Sequence, residues 1–189
     1  MSAALDAGMG NNSLRFQVVT KMDQLVHVFA IRAICYMEDA GMPADHSIDG
    51  NDLQATHIVA YSADEPVGAL RIRWFKDFAK IERSAFRRSH RNPRYLRLAA
   101  QFVFNHIARK GYRLVVTHAE PQYAEVWKRI LGFEQAPDKP AANYFGKPFV
   151  ELFKELPIPE NAITLDSSVA VLYRTEGEWD VPAKYEAPG

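Results

Sequence analysis

The sequence predicts an α/β protein of the α+β kind: a central mixed, mostly antiparallel sheet flanked by helices, with one βαβ unit. Three observations predict it. A short apolar run over 57–61, an alternating one over 67–74 and a third strand-like run over 80–86, separated by tight turns, make the pattern of an antiparallel meander. Leu96, Ala99, Ala100, Val103, Ile107 and Ala108 then recur at helical spacing and are followed by the β-branched run Leu114, Val115, Val116. Strand, helix and strand in that order make a βαβ unit, with a parallel pair and a right-handed crossover. Between meander and helix lies a basic turn, 86–97, carrying Arg87, Arg88, His90, Arg91, Arg94 and Arg97.

Taken in order, the elements begin after a small, polar stretch over 1–13, expected to be a flexible leader. Leu14, Phe16 and Val18 alternate as a first strand. Thr20 with Asp23 resembles a capping box and opens a helix bearing Leu25, Val28, Phe29, Arg32, Cys35 and Tyr36. Arg32 interrupts the apolar face; it either snorkels to the surface, the favoured expectation, or serves a site. Residues 38–52 form an acidic, irregular loop, read equally as substrate-contacting or as solvated. Gly68, inside the second meander strand, marks a bulge or a close backbone approach.

Asn92 is a good N-cap and Pro93 suits the first helical position. The helix they open ends on Lys110 and Gly111. Its N-terminus and the arginines around it favour an anion, a phosphate-bearing ligand in particular; the competing expectation is a solvated basic turn. Pro121 starts a further helix that stops at Gly132, and 133–136 and 145–156 read as two last strands joined by a loop. Pro157 and Pro159 mark a boundary. The domain is therefore expected over 14–156, with a C-terminal extension over 157–189 containing one strand at 168–173. Its apolar residues imply that it docks on the core or on a second subunit, which leaves a homodimer open.

Composition narrows the function. The chain has 189 residues, 48% hydrophobic and 24% charged, with a formal net charge of zero, ordinary for one soluble domain. Bulk charge gives no case for nucleic acid. Single Cys35 excludes an internal disulfide and a cysteine-rich zinc site. No apolar run reaches spanning length and no signal-peptide pattern opens the chain, so a cytoplasmic protein without membrane partners is expected. No Ser/His/Asp triad, Walker loop or zinc motif is present.

The order of elements, with the basic turn ahead of the long helix, resembles the GNAT superfamily of N-acetyltransferases. Ile81-Glu82-Arg83-Ser84-Ala85-Phe86 resembles the central strand of that family, and Arg91 stands where its phosphate motif begins. Arg109-Lys110-Gly111-Tyr112 resembles the end of its coenzyme A helix, and Leu131-Gly132-Phe133-Glu134 its Leu-Gly-Phe signature. Arg32, Cys35, Tyr36, Glu38, Asp49, Asp52 and His57 resemble an N-terminal pattern of one branch. The resemblance spans about 14–156.

It implies an N-acyltransferase that moves an acyl group, acetyl first of all, from acetyl-CoA or another acyl-CoA to a small-molecule or peptide amine in a ternary complex. Pantetheine would enter a gap between the central strand and the next parallel strand. Ser84, Ala85, Phe86, Arg87, Arg91, Asn92, Pro93, Arg94, Tyr95, Leu96, Arg97 and Trp127 would then hold the donor. Arg32, Tyr36, Glu38, Asp49 and Asp52 would serve the acceptor. Two departures stand out. Arg94 and Leu96 replace the small residues of the phosphate motif, where glycine lets a backbone approach phosphate, and Pro93 removes a donor. Lys128 occupies the position of the usual general-acid Tyr, and Tyr123, one turn earlier, is the nearest substitute. No metal is implied.

For the acceptor's proton, Glu82 is the first candidate base, directly or through water, with a structural ion pair as the competing role. His118 is the second, with packing as its alternative. Trp127 is read as core packing or as acyl-pocket lining, and Cys35 as inert. Arg32, Tyr36, Asp49, Asp52 and Arg71 also resemble the acyl-homoserine-lactone synthases, which share the fold. A non-catalytic acyl-CoA-binding protein is a third reading, and a nucleic-acid module the weakest.

Overall fold

A computed structural model describes residues 13–186. Eight strands and five α-helices lie among the described residues. Strand β1 (Leu14–Val18) leads into α1 (Met22–Arg32), which continues as a π-helical turn, Ala33–Glu38. A short α2 (Ala44–Ser47) and a 3-10 turn (Gly50–Gln54) precede the meander β2 (Thr56–Ser62), β3 (Glu65–Trp74) and β4 (Ala79–Phe86). Then come α3 (Pro93–Arg109), β5 (Leu114–Ala119) and α4 (Pro121–Leu131). Two-residue β6 (Glu134–Gln135) and the hairpin β7 (Ala142–Tyr144) and β8 (Lys147–Glu155) close the sheet. Its order is β1-β2-β3-β4-β5-β8-β6, with β7 on β8, and only β4 and β5 run parallel.

One sheet face carries α3 and α4. Ala99, Ala100, Val103, Phe104 and Ile107 of α3 pack with Ile58, Leu70, Ile72, Ile81, Val115 and Leu152. The other face takes α1, whose Val28 and Ile31 meet Val59 and Ala69. Gly68 shows why glycine stands in β3: a Cβ there would lie 2.3 Å from the Phe86 ring. The register also shifts beside it, between Ala60 and Tyr61, so the bulge and the close approach coincide. Seated on Gly68, Phe86 fixes the end of β4 from which the basic turn departs.

Several expectations change. The α1 N-terminus is satisfied by Gln24, whose Oε1 accepts from the N–H groups of Thr20 at 2.9 Å and Lys21 at 3.2 Å; Thr20 and Asp23 form no box. The loop expected after Ala136 contains β7, and its hairpin turns on Phe145 and Gly146, both at positive φ (53° and 75°). That is the backbone of a tight two-residue hairpin, normally Asn-Gly, so Phe145 conceals it. The leader expected over 1–13 lies, apart from Ser13, outside the described residues.

The strand expected at 168–173 is instead a short helix, α5 (Val169–Tyr173), capped by Ser168, whose Oγ accepts from the Val171 N–H at 3.5 Å. An apolar alternation of two had concealed the cap. Its Val169 and Tyr173 are exposed; the extension docks through other residues. Trp179 stacks on His106 with ring centroids 5.0 Å apart. Glu176 accepts from His106 Nε2 at 3.1 Å and Lys110 Nζ at 2.8 Å, and Arg109 reaches Asp180 at 2.8 Å. This clamp holds the C-terminal end of α3, the end opposite the basic turn.

Candidate active site

The parallel pair separates almost as soon as it forms. Strands β4 and β5 are joined through Ala79 with Val115 and Lys80 with Val116. Thr117 Oγ1 then donates to the Ile81 carbonyl at 2.9 Å. Past that bond the two strands share no ladder pairing, while β5 stays paired with β8 out to Ala119. A bulge bends β4 away. Its register against β3 slips between Ala69 and Arg71, and Arg83 sits at φ 53°. An extra residue on one strand bends it and raises its twist. A non-glycine residue in that region costs on the order of 1 kcal/mol, so the surroundings must hold it.

They do so from two sides. Tyr36, from the π-helical turn, donates its hydroxyl to the Ser84 carbonyl at 2.9 Å. Burial pushes the Tyr36 phenol up to about 12, so it remains a donor. Arg83 Nη2 donates to Asp49 Oδ2 at 2.9 Å and to the Tyr144 hydroxyl at 3.2 Å. Arg87 N–H donates to the Val67 carbonyl at 2.9 Å, which ends the β3 ladder. By strand alternation the Phe86 N–H and carbonyl then face the gap. That carbonyl accepts from Arg91 Nε at 2.6 Å.

The basic turn lies at the mouth of the gap. Arg88 Nε and Arg91 Nη2 share the carboxylate of Asp39, at 2.9 and 2.5 Å, and Arg87 pairs with Glu65. Among the described residues, Arg94 and Arg97 make no ion pair, and both are exposed. At the helix start, Asn92 Oδ1 accepts from the Tyr95 N–H at 2.9 Å and the Asn92 carbonyl from Leu96 N–H at 3.1 Å. Pro93 has no N–H. Of the first-turn amides, Arg94 N–H alone is left for an anion, so the expected amide cradle is reduced and guanidinium groups must supply most of a diphosphate's contacts.

Beneath α1 lies a second set of arginines, this one buried. Arg32 is 0% and Arg71 1% exposed, which overturns the expectation that Arg32 snorkels. Arg32 Nη1 donates to Asp52 Oδ1 at 2.6 Å and Nη2 to the Ser47 carbonyl. Arg71 Nη1 reaches Asp52 at 2.7 Å and Asp49 at 2.8 Å, and its Nη2 reaches Glu82 at 3.0 Å. Burial alone would raise the Asp49 and Asp52 carboxyls; hydrogen bonds from Arg71 and Arg83, and from Arg32 and Arg71 respectively, outweigh it and hold both below the usual carboxylate range. His57 Nε2 meets the Asp52 carbonyl at 2.9 Å, and burial keeps that imidazole's pKa low.

Glu82 alternates with core-facing Ile81 and so points to the face opposite α3. Its Oε1 is 3.0 Å from Arg71 and 3.7 Å from Arg73, and its Oε2 is 3.3 Å from Lys80. His118 alternates in the same way with core-facing Ala119 and shares that face. On β8, Glu151 lies directly across from His118.

The sequence-nominated residues thus divide. Ser84, Ala85, Phe86, Arg87, Arg91, Asn92, Pro93, Arg94, Tyr95, Leu96 and Arg97 run from the bulge of β4 through the basic turn to the first turns of α3. Glu82 and His118 stand on the strands that part, and Tyr36 and Asp49 brace the bulge. Arg32 and Asp52 are buried beneath it, and Glu38 is exposed. Trp127 packs edge-on against Phe133, centroids 5.4 Å apart, in the core, and Tyr123 is 56% exposed on the first turn of α4. Sequence reasoning placed Asp39 only within the acidic loop and gave Arg83, Tyr144 and Glu151 no role of their own; only their partners across the fold distinguish them.

No family model matches the sequence. It is 34% identical over 70 residues to YjcF of Bacillus subtilis, an uncharacterised protein named as an N-acetyltransferase; the match covers 37% of this chain and spans 50% of that relative. A second B. subtilis protein named as an acetyltransferase is 25% identical over 124 residues, covering 64% of this chain and 84% of its own. Among solved structures, a protein from Lactobacillus plantarum named as an N-acetyltransferase superposes with a TM-score of 0.69 at 21% identity, over 77% of this chain and 100% of that one. BjaI, a coenzyme A-dependent acyl-homoserine lactone synthase solved with isopentyl-CoA, superposes with a TM-score of 0.63 at 15% identity, over 79% and 86%. The mixed sheet with its parting parallel strands is thus the fold of these N-acyltransferase structures, and the two sequence relatives are both named as acetyltransferases.

Proposed function

We propose that this chain is an acyl-CoA-dependent N-acyltransferase that transfers an acyl group, acetyl first of all, to a primary amine in a ternary complex. The observation that carries the reading is the parting of β4 from β5 after two residue pairs, with the Phe86 backbone turned into the opening. Bound there, an acyl-CoA supplies a thioester carbonyl. The residues do the rest. The N–H of Phe86, whose carbonyl is held by Arg91, offers a backbone contact to the pantetheine arm. Arg91, already fixed on the Phe86 carbonyl, and Arg94 and Arg97 offer charge to the phosphates. Asp39 holds Arg88 and Arg91 in place until the donor arrives.

The acceptor approaches over the opposite face, where Asp49, Arg83 and Tyr144 wall the bulge and Glu82 and His118 lie on the parting strands. In this reading Arg32 and Asp52 are framework rather than contacts, because both are buried. Tyr123 is the candidate acid for the leaving thiolate, and its exposure leaves it accessible.

A second reading, an acyl-homoserine-lactone-synthase-like enzyme with a longer acyl donor, draws on the assembly of Arg32, Asp49, Asp52, Arg71 and Glu82 into one network and on the likeness in fold to BjaI. A thermal-shift titration with coenzyme A, acetyl-CoA and octanoyl-CoA tests both. Binding raises the melting temperature by mass action, by about 2.7 kcal/mol of stabilisation at a hundredfold excess over Kd. Acetyl-CoA is expected to act at least as strongly as octanoyl-CoA. The reverse order favours the second reading, and no shift with any of the three removes both.

A further inference from the structure

The ion pairs on the face opposite α3 do not balance. Asp49, Asp52 and Glu82 belong to one connected network, and Arg32, Arg71 and Arg83 already match them one for one. Arg73 and Lys80 then join it through Glu82, at 3.7 and 3.3 Å, so five cations meet three carboxylates. His57, 3.9 Å from Asp52, adds no negative charge. Glu120 and Glu151 do not redress the excess, since they pair with Lys147 and Lys139. Arg32 and Arg71 are fully buried, whereas Arg73, Lys80 and Arg83 keep part of their surface in water. The surplus positive charge therefore lies where an anion can reach it.

Arg83 is the cation placed to receive one. Past Ile81 and Thr117 its strand leaves β5. The hairpin of β7 and β8 runs on beyond the last β5–β8 pair, Ala119 with Val150, and Lys147 ties it to Glu120 at the head of α4. From beside the hairpin turn, Tyr144 reaches back to β4, and its hydroxyl accepts from Arg83 Nη2 at 3.2 Å. That bond spans the mouth of the gap, from β4 to a hairpin on the far side of β5. Next to it Phe145 stacks on His46 of α2. Water reaches the bond from both ends: the Arg83 side chain is 12% exposed and Tyr144 42%. The other partner of Nη2 is Asp49 Oδ2 at 2.9 Å, an oxygen that Arg71 Nη2 also uses at 3.1 Å. Arg83 thus holds a share in one carboxylate and one long bond to a neutral hydroxyl. A carboxylate oxygen in the place of the phenol makes a shorter, charge-assisted bond.

We infer that the acceptor amine carries a carboxylate of its own, as an amino acid does, and that Arg83 binds this carboxylate while the Tyr144 hydroxyl gives way. This rests on the acyltransferase reading and names the substrate class for it. The amine of such a molecule is bound near its own carboxylate, and Glu82 precedes Arg83 on the strand. A polyamine, cationic throughout, meets the same surplus charge and is disfavoured. A phosphate ester would answer the charge as well as a carboxylate does, and the test separates the two.

The first arm needs only the wild type. Thiol release from acetyl-CoA is followed with the standard amino acids, each beside its own amide, and with spermidine and phosphoethanolamine. The amide keeps the amine and the side chain and loses the negative charge. The best amino acid should exceed its amide about tenfold or more in kcat/KM, the worth of one charged hydrogen bond, with the difference carried in KM. Amides or spermidine used as well as the amino acids overturn the proposal while leaving the acyltransferase reading intact, and so does a preference for phosphoethanolamine. In Arg83→Gln the ratio of acid to amide should fall toward one, and Arg83→Lys should restore part of it; a ratio unchanged in Arg83→Gln overturns the role of Arg83. A third arm does not depend on turnover. In nitrogen-15 spectra of the arginine side chains, recorded with coenzyme A present and assigned with Arg83→Lys, the Arg83 Nε–H signal should move on adding amino acids and not on adding their amides. A signal that no amino acid moves, or that the amides move equally, overturns the proposal. No thiol release by the wild type with any amine counts against the acyltransferase reading, and the Arg83 signal still decides whether a carboxylate binds there.

Discussion

Two clusters of arginine and carboxylate flank the bulge of β4, made of the same chemistry and differing in depth. In the lower one, Arg32, Arg71, Asp52 and Asp49 interlock with Glu82 and are mostly removed from water. In the upper one, Arg88 and Arg91 share Asp39 at the surface, with side chains 72% and 44% exposed. Depth decides what each can do. A buried ion cannot lose its partner without leaving a charge uncompensated, so the lower cluster is a rigid brace. An exposed pair is weak and exchanges partners readily, so the upper cluster can pass its arginines to a ligand. The chain sets a fixed bracket beside a mobile charge, and the bent strand between them belongs to both.

The largest expected effect breaks the brace. Asp52→Asn keeps the shape of the side chain but leaves Arg32 and Arg71 without their shared counter-charge, and about 3–5 kcal/mol of stability should be lost. Urea unfolding of the variant beside the wild type measures it. A loss under 1 kcal/mol would mean that the network is dispensable and the comparison misdrawn. Acid reaches the same brace by a second route. The Asp49 and Asp52 carboxyls have depressed pKa values in the folded chain, so their contribution is complete above the unfolded value of about 3.9 and fades as pH falls through the folded ones. Unfolding free energy should therefore drop steeply below about pH 4, and the Asp52→Asn variant should show a shallower slope over that range.

How far all this could be read from the sequence follows the same division. Period and caps showed the meander, the βαβ unit and the ends of α3 and α4, because local rules act there: Asn92 and Pro93 open α3, and Gly132 closes α4 at φ 70°. The bulge was hidden. Nothing in Ile81-Glu82-Arg83-Ser84-Ala85 says that Arg83 adopts positive φ, since arginine has no preference for it and Asp49, Tyr36 and Tyr144 impose it from distant parts of the chain. Arg32 was misjudged for a related reason. A lone arginine on an apolar stripe usually reaches water, and its burial needs Asp52 and the Ser47 carbonyl, which only the folded loop brings to it. Phe145 hid the hairpin because its local preference points elsewhere, and the alternation of Val169, Val171 and Tyr173 hid the helix that Ser168 caps.

A middle-sized effect tests the other cluster. Arg91→Ala removes the guanidinium bound to the Phe86 carbonyl and to Asp39. Coenzyme A affinity, measured by calorimetry, should fall roughly ten- to a hundredfold, the worth of one charged hydrogen bond. Stability should move by less than about 1 kcal/mol, because the pair is exposed. A variant with wild-type affinity would remove Arg91 from the donor site, and one as damaged as Asp52→Asn would show that the surface cluster is a brace as well.

The smallest expected effect is the most discriminating, because two terms have opposite signs. Arg94 lies in the first turn of α3, where the helix dipole presents partial positive charge and a cation is unfavourable. Among the described residues it has no ion-pair partner to offset this. Replacing it with alanine should therefore raise stability by a few tenths of a kcal/mol and improve local helix propensity. The same change should weaken coenzyme A binding about twofold to fivefold at low salt, and less as ionic strength rises and the remaining charges are screened. A residue that costs the fold a little and strengthens a bound anion is being kept for the ligand. If Arg94→Ala instead lowers stability and leaves affinity and its salt dependence unchanged, the charge at the head of α3 belongs to the fold.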